Sequence, residues 1–151
     1  MDKTFTWRDG AVILGRLIFA ALFIMAAGFK FADINATAGY IASAGFPAAV
    51  FLAWCAAIFE TLLVIAFLTG AYFPEACLLG AIYVVFLAFA FHMPTAQSTP
   101  EQFGAFISHF PFAAGLLFAA AHGPGRLLAS RLTCIGYRGA SDGVSWRAEG
   151  T

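Results

Sequence analysis

Charge is scarce in this chain of 151 residues: eight Lys and Arg and eight Asp and Glu make up 11% of it and cancel. A water-soluble domain carries about 25% charged residues, so that class is excluded. A net charge of zero leaves no strongly basic or acidic surface for nucleic acid. Cysteine is rare too. Cys55, Cys77 and Cys134 show no CxxC spacing, which argues against a thiol–disulfide catalyst and leaves cysteines in apolar helices as small hydrophobes. The histidines carry no local metal-ligand spacing, His92 and His109 falling on separate expected helices, so no metal site is expected. There is no haem, flavin or iron–sulfur signature. No intrinsic cofactor is therefore expected, and any electrons must come from a partner.

Apolar side chains take the place of charge: 62% of residues are hydrophobic and 17% aromatic, with a mean hydropathy of +0.85. A bilayer span takes about 20 mostly apolar residues, and four such runs stand at 11–31, 47–70, 76–93 and 103–122. The expected fold is all-α, an integral membrane four-helix bundle in one domain, 11–122, between a short segment, 1–10, and a polar tail, 123–151. Pro74 and Glu75 suit the first turn of the third helix, and Gly123, Pro124 and Gly125 stop the fourth. Residues 33–46 and 94–102 read as loops. A cleaved secretory signal is the alternative for the first run, but Arg16 and Lys30 bracket it as they would an uncleaved helix.

Basic residues set the expected orientation. Lys3, Arg8 and Arg16 precede or open the first span and Arg126, Arg131, Arg138 and Arg147 follow the fourth, whereas Lys30 stands alone at the far side. Cytoplasmic flanks carry the lysine and arginine excess, so a multi-pass protein with both termini in the cytoplasm is expected.

Glu60 lies near the middle of the second run, where an ionisable group is a site hypothesis with a partner to be found. At about 1.5 Å of rise per residue, Arg16 is within reach from the same side, and Lys30 lies too far off at the opposite mouth. Arg16, Glu60 and Tyr83 are therefore expected to form a buried polar network. A second layer gathers Lys30, His92, Ser108 and His109 toward the other face, as a candidate quinone-headgroup or proton site. The plainer alternatives are interhelical glue for the first layer and interfacial snorkelling for the second. No residue is singled out as catalytic. Close packing is expected where small residues recur four apart, at Ala53 and Ala57 and at Gly115 and Ala119.

Several segments resemble the DoxX family of small four-helix membrane proteins. They are Gly15-Arg16-Leu17, Ala27-Gly28-Phe29-Lys30, the run from Tyr40 to Pro47, Phe59-Glu60, and the run from Ala121 to Leu127. The resemblance covers roughly residues 11–130. It implies a four-helix bundle in a bacterial inner membrane, in a family that includes the membrane subunit of a thiosulfate:quinone oxidoreductase. Family members often carry a Lys-Asn pair on the fourth helix, where this chain has Ser108 and His109.

Three functional readings follow. One is a non-catalytic accessory or assembly subunit of a membrane complex, respiratory or redox. The second is a quinone-interacting membrane subunit of an oxidoreductase, with quinone as the bound cofactor. The third is a small-solute or proton pathway. The expected partners are the lipid bilayer and a membrane or redox protein, with homo-oligomerisation left open.

Overall fold

The computed structural model describes residues 6–95 and 98–125. The expected tail lies outside the described residues from Arg126 onward, and so does Cys134. Five helices follow in order: α1 (Trp7–Ala32), α2 (Ile34–Ser43), α3 (Ala49–Thr69), α4 (Phe73–Phe91) and α5 (Pro100–His122). All except α2 are long and apolar enough to cross a membrane.

Helices α1 and α5 start earlier than their apolar runs because polar caps extend them. Asp9 accepts hydrogen bonds from the Thr6 N–H at 2.9 Å and the Thr6 hydroxyl at 2.7 Å, fixing the first turn of α1 four residues before the expected span. Thr99 and Gln102 make a reciprocal capping box around Pro100, so α5 begins at 100 rather than 103. Helix α4 opens at Phe73, and the α3–α4 turn is only three residues long. Gly70 closes α3 there in the left-handed conformation that glycine adopts without a Cβ penalty.

Residues 33–46 are not simply a loop. Asp33 ends α1 and caps the next helix, its carboxylate accepting from the Ala36 N–H at 2.8 Å. The resulting α2 buries Ala38 and Ile41 against Ala53. Its ten residues are too short to span, so a search for long apolar runs passes over it.

Helices α1 and α3 pack as one close antiparallel pair, and α4 and α5 as the other. We call the end where α1 starts and α5 finishes the terminal end, and the other end distal. Phe19 and Phe23 of α1 meet Phe67 of α3 and Phe112 of α5 at ring separations of 5.5–5.9 Å, joining the two pairs through an aromatic layer. Ala53 and Ala57 are fully buried on α3, as small residues at a close helix contact should be. Outward faces carry bare Leu, Ile and Phe, among them Phe51, Leu62 and Phe118. Such a surface suits hydrocarbon and not water.

Candidate functional site

Glu60 and Arg16 are the two buried charged side chains among the described residues, at 1% and 3% exposure, and they do not meet. Glu60 is paired with Lys30, whose Nζ lies 2.8 Å from Oε1 and 2.9 Å from Oε2. The Tyr83 hydroxyl donates to Oε1 at 2.8 Å, and its ring is steadied edge-on by Phe59 at 5.0 Å. The expected network of Arg16, Glu60 and Tyr83 is therefore corrected to Lys30, Glu60 and Tyr83.

The reason is the direction in which side chains leave a helix. Every Cα–Cβ bond tilts toward the helix N-terminus. In the antiparallel pair α1–α3, Lys30 leans toward the terminal end and Glu60 leans toward the distal end, so they approach each other. The 3.4 Å contact from Lys30 Nζ back to the Ala26 carbonyl records that lean. Arg16 leans the same way as Lys30 and hence away from Glu60. It donates instead to the Phe67 carbonyl from Nε at 2.8 Å, to Leu68 from Nη2 at 3.0 Å and to Pro124 from Nη1 at 2.9 Å. These carbonyls belong to the last turn of α3 and the segment just past α5, where helix ends leave acceptors unpaired and carry partial negative charge. Arg16 also lies over the Phe73 ring at 5.4 Å.

The second expected layer divides. Lys30 belongs with Glu60. Ser108 is exposed and its hydroxyl donates to the Ala105 carbonyl of its own helix at 2.8 Å. His92, at the C-terminal cap of α4, and His109, on α5, come together with ring centroids 5.0 Å apart. His92 lies one residue past its span. Partial burial, and then the neighbouring His109, hold its imidazole below the usual range. A group whose pKa falls on folding contributes stability above its unfolded value and loses it as the pH drops. The thermal midpoint in detergent should therefore decline as the pH is lowered below 6.5, and His92→Gln should flatten that decline.

A cavity of about 1030 Å³ opens between α1, α2, α3 and α4. Its wall is mostly apolar, including Tyr40, Phe59 and Phe86, and its polar groups include Lys30, Asp33, Tyr83 and His92. Glu60 sits behind this wall, while the Lys30 side chain keeps 20% exposure. A guest would thus meet the ammonium and the phenol, both oriented by a carboxylate it does not touch. Sequence reasoning missed the cavity because its walls come from four helices, one of them the short α2.

A smaller cavity of about 260 Å³ lies at the terminal end beside Arg16 and Phe73. It is a gap between α1 and α5, floored by the guanidinium that ties the helix ends together.

A protein-family model described as DoxX matches residues 11–93, more than half of the chain and the whole of the cavity wall. No curated protein and no solved structure matches it.

Proposed function

The chain belongs to the DoxX family, and from that premise we propose that it is a membrane subunit that holds a quinone-type lipophile in the cavity between α1 and α4. The cavity carries this reading. Ligand sites are commonly apolar clefts of about 300–1,000 Å³ with a few convergent polar groups, and the cavity here has that size and character. A quinone has a flat ring with two carbonyl oxygens and an apolar tail, and needs donors at the ring and hydrocarbon around the tail. Lys30 can supply the donor: two of its N–H groups hold Glu60, and the third makes only the long 3.4 Å contact to Ala26, which a guest oxygen can replace. The Tyr83 oxygen keeps an acceptor lone pair for a quinol hydroxyl. Glu60 positions both groups. Electrons for any turnover come from a partner protein, and the chain's own residues bind and orient.

A second reading, a non-catalytic accessory subunit, draws on the completeness of the Lys30–Glu60–Tyr83 network, which can hold α1, α3 and α4 together with no guest.

Titrating purified protein with a short-chain quinone analogue decides between them. Binding is expected for the wild type and a loss of about tenfold or more for Ala56→Trp, which fills the cavity from α3 and costs at least one ring's worth of contact. No binding to the wild type, or equal binding by the variant, sinks the lipophile reading and leaves the accessory role.

A further inference from the structure

The pairing of His92 with His109 is used neither by the Lys30 network nor by the headgroup contacts. We propose that these two imidazoles bind a divalent transition-metal ion, Cu²⁺ or Zn²⁺, at the distal end of the α4–α5 pair.

Spacing is the first argument. With a metal–nitrogen bond of about 2.1 Å, and about 1.1 Å from nitrogen to ring centre, each centroid lies about 3.2 Å from a shared ion; at a tetrahedral angle the centroids are then about 5.2 Å apart. The observed separation is 5.0 Å. The tautomer is the second argument. His109 Nδ1 lies 2.6 Å from the Ala105 carbonyl, which can only accept, so Nδ1 carries the proton and the Nε2 lone pair remains for a ligand bond. Metal-binding histidines commonly anchor their other nitrogen in this way. Support is the third. Phe89 packs edge-on against Phe106 and Phe110 at 5.5 and 6.1 Å, so α4 and α5 are locked at this level. His92 is the C-cap residue of α4, its backbone N–H bonded to the Ala88 carbonyl at 3.0 Å, which holds it at this level.

Among the described residues no group of three or more His, Cys, Asp or Glu side chains gathers to hold a metal. The site is therefore an open one, with its remaining positions taken by water or by an added ligand. Imidazole suits copper and zinc, and copper(II) heads the affinity order for divalent ions. His92 also lines the large cavity, so the ion stands at its rim, where an oxygen of a bound head could complete the coordination.

Titration of the purified full chain, free of any histidine tag, with Cu²⁺ alone tests this by calorimetry and electron paramagnetic resonance. One ion per chain is expected, with a two-nitrogen hyperfine pattern and competition only by a large excess of Zn²⁺. His92→Ala and His109→Ala should each weaken binding about tenfold or more. His122→Ala, at the opposite end of the bundle, should leave it unchanged. His109→Gln, checked for retained helical circular dichroism, serves in case the alanine variant is poorly folded. Equal binding by the wild type and the His92→Ala/His109→Ala double variant overturns the site. So does a dependence on one histidine only, or loss of binding in His122→Ala. No lipophile is used, so this result stands apart from the quinone titration.

Discussion

Exchanging Lys30 for methionine should lower the stability of the folded bundle by about 3 kcal/mol, the lower end of the range for breaking a buried ion pair. The lower end applies because Lys30 keeps some exposure, whereas Glu60 keeps almost none. The loss comes less from the vanished attraction than from a carboxylate left at membrane depth with only the Tyr83 hydroxyl to satisfy it. Adding Glu60→Gln should therefore recover most of the loss, since the stranded charge is gone. Reversible unfolding in mixed detergent, compared across both single variants and the double, measures the coupling. Additive effects would show that the pair is not an energetic unit.

Removing Arg16 is expected to be as damaging for a different reason. Arg16→Leu keeps an apolar side chain against Phe73 but leaves the carbonyls of Phe67, Leu68 and Pro124 without their donor. A buried acceptor stranded in this way costs about 1–3 kcal/mol, and the part-buried Leu68 carbonyl less. The three are close together and some relax jointly, so a total of about 3–5 kcal/mol is expected. Arg16→Lys should restore only a minor part, because one ammonium cannot meet three carbonyls that a planar guanidinium reaches with three separate nitrogens. The same detergent unfolding measurement applies, and a lysine variant as stable as the wild type would refute the clamp.

The spans were legible in the sequence because bilayer thickness imposes a length on apolar runs, and no tertiary knowledge is needed to count them. Glu60 was legible as a place for the same reason: a charge in such a run has to be answered. Its answer was not, because rise per residue fixes only where a Cα sits, and the reach of Lys30 depends on its lean relative to an antiparallel neighbour. Helix α2 was hidden because ten mixed residues resemble a loop until Asp33 is seen to cap them. The meeting of His92 with His109 depends on the register of α4 against α5, which their intervening segment does not encode in any local spacing. Ser108 illustrates the converse: it neighbours His109 in the chain but bonds its own helix.

The Lys30–Glu60 pair also bears on biogenesis. A segment carrying a lone carboxylate partitions poorly from the translocon into lipid, but here α1 emerges first and brings an ammonium to the level where that carboxylate will stop. Of the two helices, the one synthesised earlier thus carries the counter-charge of the later one, and the cost of Glu60 at membrane depth falls once they lie side by side.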